Sequence, residues 1–316
     1  MIGAGEFLGR HVTQALAGNV PIIELNADAD DETLEDAMTS VDVVHLAAET
    51  HSPARRLRYG RQPALLVKRV LAAAQKTGVR RIVHVSTADV YGPDQFVRVT
   101  EKTRLRPIHT YEKLKLQEER WLFETSGSVE VVVVRPARVF GQFEDWLLPS
   151  LVRPLSTGRV WMPGGGRALQ TFIAAEDVGR ACLAAADRGR PNDSYLVGGF
   201  DSTWREFVES AARHLAIECS ILSLPYDVVF INAMFREAVR PMGAIAMPNI
   251  YAVDAVGRPR YYDDSRSRRQ LTWSPSVGSF DQAMPRLADW LAELAAKPTP
   301  PPALRATSPP GGEDST

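Results

Sequence analysis

Residues 81–92 read RIVHVSTADVYG, and residues 109–115 read HTYEKLK. The first run is typical of a buried strand that ends in a loop carrying Thr87. If the second run is helical, Tyr111 and Lys115 share one face, because they lie four residues apart. An ammonium close to a phenol favours the phenolate, so the pair predicts a proton-transfer site. With Thr87 orienting a substrate oxygen, the three side chains suit chemistry at a carbinol or carbonyl carbon.

A glycine-rich turn opens the chain. Residues 3–9 read GAGEFLG, and a helix-like segment follows to Leu16. Glycine lets the backbone approach a pyrophosphate closely, and the N–H groups at the start of a helix attract anions. The turn therefore predicts a phosphate-binding site.

These runs, followed by VVVVRPARVFG at residues 131–141, form an ordered pattern. In order and spacing they resemble the extended short-chain dehydrogenase/reductase family, in its NAD-dependent epimerase/dehydratase group. The resemblance spans roughly residues 3 to 295. It implies an α/β fold with a Rossmann-like, doubly wound parallel sheet and a smaller carboxyl-terminal substrate lobe. It also implies NAD or NADP as cofactor, a small-molecule substrate, and Thr87, Tyr111 and Lys115 as the catalytic residues.

The resemblance further implies which residues surround the cofactor. Lys115 would also hold the nicotinamide ribose, Pro136 would lie near the nicotinamide, and Tyr91 would pack beneath the site. The residues expected at the cofactor are Gly3, Gly5, Phe7, Leu8, Gly9, Asn26, Asp28, Leu46, Ala47, Ala48, Tyr111, Lys115 and Pro136.

Two positions depart from the family pattern. Glu6 stands where the family usually has its middle glycine, and a carboxylate there should repel a pyrophosphate unless the side chain turns outward. Pro63 stands near the place of an Asn behind the active site. We interpret Pro63 as a helix start, since proline is tolerated in the first turn; Gln62 could substitute for the Asn.

The first half of the chain is short for a Rossmann domain. Only Met1 and Ile2 precede Gly3, where a central strand is expected, so we expect the natural start to lie upstream. One further βα unit is also missing. Residues 21–26 could be the second strand, which would place Asn26 or Asp28 at the ribose hydroxyls. They could equally be the third strand, with residues 28–38 forming the turn and helix beside the adenine. The sequence therefore does not decide between NAD and NADP as the cofactor.

Composition fits an ordinary globular enzyme. The 316 residues are 45% hydrophobic, and the net charge is −1. We therefore expect a cytoplasmic protein with no membrane and no nucleic-acid partner, although residues 55–61 carry four arginines that leave RNA binding as a minor alternative. The two cysteines have no ligand-like spacing, so no metal is expected. A homodimer is possible by resemblance to the family.

The second half carries the substrate lobe. We expect a cofactor domain over residues 1–200 and a substrate lobe over residues 201–296. Residues 141–170 of the first domain also contribute to the substrate lobe. Residues 297–316 are expected to be a disordered tail. Nucleotide-sugar enzymes of the family usually have an Arg where this chain has Gln170. Arg167, Arg258 and Arg260 could compensate, but solvent exposure is the favoured interpretation of each.

Three functions follow from these observations. The leading one is an NAD(P)-dependent oxidoreductase or epimerase that uses Tyr111 as its acid and base. An enzyme acting on an apolar alcohol, similar to 3β-hydroxysteroid dehydrogenases or dihydroflavonol reductases, is an alternative if residues 228–235 line a pocket; a buried helix is the favoured interpretation of that run. A non-catalytic sensor or scaffold is the third, favoured by Glu6, Pro63 and the missing strands.

Overall fold

The computed structural model describes residues 1–48, 63–93, 98–238 and 249–296. The arginines of residues 55–61, Gln62 and the tail over residues 297–316 lie outside the described residues. In chain order the helices and strands are α1 (Phe7–Leu16), α2 (Asp31–Met38), β1 (Val43–Leu46), α3 (Pro63–Thr77), β2 (Arg81–Val85), α4 (Thr110–Thr125), β3 (Glu130–Pro136), β4 (Arg138–Phe140), α5 (Leu148–Val152), β5 (Arg159–Pro163), β6 (Gln170–Ala174), α6 (Ala175–Arg188), β7 (Asp193–Val197), β8 (Phe200–Ser202), α7 (Trp204–His214), β9 (Ser220–Leu224), α8 (Tyr226–Ala238), α9 (Ile250–Gly257), α10 (Ser265–Leu271) and α11 (Phe280–Ala296).

The central sheet is parallel, in the order β1-β2-β3-β7. Its strands are nearly continuous runs of apolar residues, as expected for strands buried on both faces. Val131 and Val133 of β3 point into one core cluster, and Val132 and Val134 point into another. Helices α1 and α6 pack together, and α3 packs against both α2 and α4. The predicted doubly wound α/β fold is confirmed.

The first strand is reduced to Met1 and Ile2. Ile2 forms parallel bridges with both Leu25 and Leu46, with Ile2 N donating to His45 O at 2.9 Å and Leu25 N donating to Met1 O at 2.8 Å. The segment ending at Leu25 therefore lies beside the first strand, in the position of a second strand. Among the described residues no strand lies beyond it, so the third strand is the one missing.

A separate aromatic core fills the smaller lobe. The Phe172 ring lies 4.8 Å from that of Phe280 and 5.0 Å from that of Trp204, centroid to centroid. Residues from α5, α7, α9 and α11 complete this cluster. The closing helix, α11, runs from Phe280 to Ala296. The proposed domain limits of 1–200 and 201–296 remain predictions.

Helix α8 corrects one expectation. A buried helix was favoured over residues 228–235, but Ala233 is the one buried residue of α8. Ile231 is 64% exposed and Phe235 is 65% exposed. The reason is that α8 packs mainly on α9, which covers little of its apolar surface. No helix in the described ranges is both long and apolar enough to cross a bilayer.

Candidate active site

The glycine turn is closely packed. Gly3 has a φ of +84°, a left-handed conformation that favours glycine. A Cβ added at Gly9 would lie 1.7 Å from the carbonyl oxygen of Gly3, and one added at Gly3 would lie 2.9 Å from the Cα of Ala48. Side chains at these two positions would push the turn apart. The turn therefore places backbone without side chains after Ile2, next to the carboxyl end of β1, and α1 begins there.

Most of the residues expected at the cofactor surround this turn. Leu46, Ala47 and Ala48 are buried at the end of β1. A Cβ at Gly5 would lie 3.2 Å from Asn26 Oδ1, so the Asn26 amide is next to the turn. Asp28 is exposed further along the chain. Of the two candidates for the ribose hydroxyls, the structure brings Asn26 to the turn.

Three more of the expected residues lie on α1 and β3. Phe7 is buried at the start of α1, where its ring would be 3.5 Å from a Cβ on Gly141. Leu8 is half-buried on the same turn of α1. Pro136 ends β3 and is buried.

Glu6 does not turn outward. Its side chain is buried, with 4% of the residue exposed, and it makes no hydrogen bond to the start of α1. Sequence reasoning did not include Arg10, whose Nε donates to Gly5 O at 2.9 Å and whose guanidinium lies 4.8 Å from the Phe143 ring. A cation in this position beside the turn favours an anionic ligand.

Lys115 reaches the carboxyl end of β2, the strand that Thr87 follows in the chain. Lys115 is 4% exposed, and its Nζ donates to Val85 O at 3.3 Å and lies 3.2 Å from Glu118 Oε2. Thr87 follows two residues after Val85, and its Oγ1 accepts from Asp89 N at 3.1 Å, capping a 3₁₀ helix over Ala88–Tyr91. Helix α4 packs on that 3₁₀ helix. The two side chains are therefore held by rigid elements.

Tyr111 lies in the first turn of α4, half-buried, on the side of the smaller lobe. Its ring centroid is 5.4 Å from that of Tyr251, on α9. The Tyr251 ring also stacks on Trp146 at 4.9 Å and lies 5.2 Å from the His109 ring. Trp146 and Tyr251 thus form an aromatic wall next to Tyr111. No sequence signal could have found it, because its members are far apart along the chain.

Tyr91 has the predicted packing role. It is fully buried, and its Oη accepts from Arg135 Nη1 at 2.8 Å. Arg135 is in turn paired with Glu119, at 2.5 Å between Nη2 and Oε2. Burial raises the pKa of the Tyr91 phenol. Tyr91 therefore stays protonated near neutral pH and supports the floor of the site.

A buried carboxylate joins the two lobes. Asp89 Oδ2 accepts from Tyr251 Oη at 2.5 Å, and the Asp89 carboxylate pairs with Arg260 at 3.0 Å and with Arg138 at 3.3 Å. Burial alone would raise the pKa of Asp89, but Arg138 and Arg260 outweigh it and lower the pKa to about 2. Burial and the charge of Asp89 together raise the pKa of Tyr251 well above its usual range. Tyr251 is therefore a fixed hydrogen-bond donor.

One expectation about the substrate lobe is wrong. Arg260 was expected at the surface, but it is 3% exposed, and its Nη2 pairs with Glu112 Oε1 at 2.9 Å. Two carboxylates, Asp89 and Glu112, hold it in the interior. Gln170 is fully buried, and its Nε2 donates to Ala255 O at 2.7 Å. Both side chains are thus engaged within the protein rather than facing a diphosphate.

The other two arginines differ from each other. Arg167 is exposed, as expected. Arg258 is half-buried, with its guanidinium 5.5 Å from the centroid of the Tyr226 ring. No cluster of three or more metal-ligating side chains occurs within the described parts of the chain.

Known proteins are similar to this chain in sequence and in fold. The family model described as "NAD dependent epimerase/dehydratase family" matches residues 1–198. A ketoreductase from Stigmatella aurantiaca, named for the substrate 4-hydroxy-2-methyl-3-oxo-4-farnesyl-3,4-dihydroquinoline-1-oxide, is 30% identical over 78% of this chain and 76% of its own length. A dTDP-glucose 4,6-dehydratase from Streptomyces griseus is 32% identical over 80% of this chain and 70% of its own length.

A solved structure has the same fold. RMD from Pseudomonas aeruginosa, complexed with NADPH, superposes with a TM-score of 0.70 at 20% identity, over 93% of this chain and 98% of that one. The family model covers more than half of the chain, and both relatives have enzyme names. This chain therefore belongs to the NAD-dependent epimerase/dehydratase family of NAD(P)-binding enzymes.

Proposed function

We propose that this protein is an NAD(P)-dependent oxidoreductase acting at a carbinol or ketone carbon, with Tyr111 as its acid and base. The observation that carries this proposal is the buried Lys115, held at the carboxyl end of β2 beside Thr87 and four residues from Tyr111 on α4. An ammonium fixed on the same helical face favours the phenolate of Tyr111. The phenol can then exchange a proton with a substrate oxygen.

The residues at the turn fit a dinucleotide. Gly3 and Gly9 allow the turn to pack closely without side chains, α1 offers its amino terminus, and Arg10 adds a cation. Asn26 would hold the adenosine ribose, and Pro136 and Lys115 would border the nicotinamide. Asn26 is neutral, so it would repel neither a free ribose hydroxyl nor a 2′-phosphate. A bound nicotinamide cofactor supplies or accepts the hydride, while the side chains of this chain move the proton.

In the reducing direction, Tyr111 would give its proton to the carbonyl oxygen while the adjacent carbon gains the hydride. Thr87 would hold the same oxygen by a hydrogen bond, and Lys115 would stabilise the phenolate left on Tyr111. In the oxidising direction the proton and hydride move the opposite way. Thr87 already accepts from Asp89 N, which fixes its side chain and leaves its hydroxyl proton to donate.

A ring-bearing ketone is the substrate class that we favour. The aromatic wall of Trp146 and Tyr251 next to Tyr111 offers flat apolar surface for a ring. The ketoreductase relative is named for a dihydroquinoline substrate, which supports the same choice. A nucleotide sugar is the second candidate, favoured by the dehydratase relative and opposed by the engagement of Gln170 and Arg260 within the protein.

The test is Tyr111→Phe, assayed with a dihydroquinoline ketone and with a dTDP-hexose. Removing the hydroxyl should lower turnover about 10²- to 10⁴-fold while leaving cofactor affinity within a few fold. Tyr261→Phe is the matched control, because Tyr261 is a half-buried tyrosine outside the site. Turnover of Tyr111→Phe close to that of the control would refute the assignment of Tyr111.

A further inference from the structure

Behind Lys115 lies a buried carboxylate that the proposed proton transfer does not use. Glu118 Oε2 is 3.2 Å from Lys115 Nζ, and the two side chains are 1% and 5% exposed. The same oxygen is 3.4 Å from Nε2 of His84, whose side chain is 2% exposed. Glu118 therefore lies between Lys115 of α4 and His84 of β2, and the three side chains form a line of polar groups. His84 is the residue before Val85.

The burial of this line matters for the charge on Lys115. A lysine taken out of water tends to release its proton, because burial penalises the ammonium form. Lys115 Nζ also donates to the carbonyl oxygen of Val85, which is a dipole and not a charge. An ionised carboxylate at 3.2 Å opposes the loss of the proton far more strongly.

We propose that Glu118 is a positioning residue that keeps Lys115 in its ammonium form and aims it at the carboxyl end of β2. His84, on β2, holds Glu118 in place. This contact fixes the position of α4 along β2 near Thr87. The inference rests on the proposed function, because the charge on Lys115 matters only if Tyr111 works as an acid and base.

Other charged groups on the packed elements have partners of their own. Glu119 is paired with Arg135, and Glu112 is paired with Arg260. Asp89 is held by arginines and by the Tyr251 hydroxyl. On the neighbouring elements, Arg81 of β2 pairs with Glu130, and Lys68 of α3 lies over the Trp121 ring. Tyr91 of the 3₁₀ helix accepts from Arg135, and His109 before α4 pairs with Asp254 of α9.

This arrangement predicts opposite results for two roles of Glu118. If Glu118 keeps Lys115 charged, Glu118→Gln leaves a lysine that sheds its proton, and the Tyr111 phenolate loses its cation. The phenolate should then form only at higher pH. If Lys115 stays charged without Glu118, the phenolate gains from the removal of a nearby negative charge, and it should form at lower pH.

The experiment is a pH titration of tyrosinate absorbance in the cofactor-free protein. Subtracting the titration of Tyr111→Phe from that of the wild type isolates Tyr111. The same subtraction is made between Glu118→Gln and the double variant Glu118→Gln/Tyr111→Phe. We expect Glu118→Gln to raise the midpoint by at least one pH unit, which is about a tenfold loss of phenolate at a fixed pH.

Glu124→Gln is the matched control, since it removes a carboxylate from the exposed side of the same helix. It should leave the midpoint unchanged. An unchanged or lower midpoint in folded Glu118→Gln would overturn the inference. If Glu118→Gln does not fold, Glu118→Asp replaces it; a shorter carboxylate should raise the midpoint by a smaller amount, and no rise would also overturn the inference.

The titration separates the two proposals. If Tyr111 of the wild type titrates like a free tyrosine, the proposed role of Tyr111 fails whatever Glu118 does. If the wild-type midpoint is low and Glu118→Gln does not raise it, the role of Glu118 alone fails. The pH profile of turnover should shift in the same direction as the absorbance midpoint.

Discussion

His45 shows how burial acts on a single titratable residue in the sheet. It lies on β1, is 5% exposed, and its backbone carbonyl accepts from Ile2 N. Burial lowers the pKa of its imidazole from 6.5 to about 3. The folded protein therefore keeps His45 neutral over a range in which the unfolded chain binds a proton.

This residue gives a pH-dependent prediction. The stability that neutral His45 contributes is fully present above pH 6.5. It is lost as the pH falls towards 3, because only the unfolded state takes up the proton between these pH values. His45→Leu lacks the proton uptake. Between the two pKa values, the free energy of unfolding of the wild type should fall relative to His45→Leu by about 1.4 kcal/mol per pH unit.

Urea unfolding at several pH values measures this difference. The difference in unfolding free energy between the two proteins should be constant above neutral pH and should change steadily below it. A difference that stays flat down to pH 4 would show that His45 is protonated in the folded protein as well.

Tyr111, Lys115 and Thr87 stood out in the sequence by their types and spacing, and their catalytic roles stay predictions. Glu118 did not stand out, because position i+3 on a helix is equally common on exposed and buried faces, and only the packing of α4 on the sheet distinguishes them. The burial of Arg260 was missed because Asp89 and Glu112, the carboxylates that pair with it, lie far from it along the chain.

At the scale of elements, Ile2 shows how one residue can bridge two neighbouring segments of the sheet. Its N–H donates to His45 O and its carbonyl accepts from Ala47 N, while on the other side Leu25 bonds to Met1 and Gly3. The sequence left the strand position of residues 21–26 open, since an apolar run does not reveal its neighbours. Pairing with Ile2 decided it. Helix α8 was misjudged because an apolar run does not show whether another element covers it.

Arg260 ties α4 and the 3₁₀ helix to the segment after α9, which gives a prediction about stability. Arg260→Leu should leave Asp89 and Glu112 buried without this partner, because both carboxylates pair with its guanidinium. The cost should be about 3–5 kcal/mol of unfolding free energy. Chemical denaturation measures it.

Arg213→Leu is the control for that change. Arg213 pairs with Asp281 at the surface, with 60% of its side chain exposed, so its loss should cost less than about 1 kcal/mol. Equal unfolding free energies for the two variants would mean that the buried bridge contributes no more than a surface ion pair.

At the scale of the whole molecule, one edge of the sheet holds the carboxyl ends of the parallel strands. The glycine turn, Ala47, Ala48, Thr87 and Pro136 all lie at this edge. Ligands of open α/β sheets bind at this edge, because the strand ends and helix starts converge there. The smaller lobe lies over the same edge through Tyr251 and its contact with Tyr111. The fold class was predictable from sequence because the motifs resemble, in order and spacing, those of a family with this fold.

The most direct test of the central claim, that this edge binds a nicotinamide cofactor, is a titration with NADH and with NADPH that follows energy transfer from tryptophan to the reduced nicotinamide. Gly9→Ala is measured beside the wild type, with Gly278→Ala as control, since a Cβ at Gly278 would meet only Gln282 Oε1 at 3.6 Å. We expect saturable binding of at least one cofactor by the wild type and by Gly278→Ala. Gly9→Ala should bind about tenfold or more weakly, because a Cβ there would displace the turn. Absence of saturation with both cofactors in the folded wild type, or equal binding by Gly9→Ala, would contradict the account.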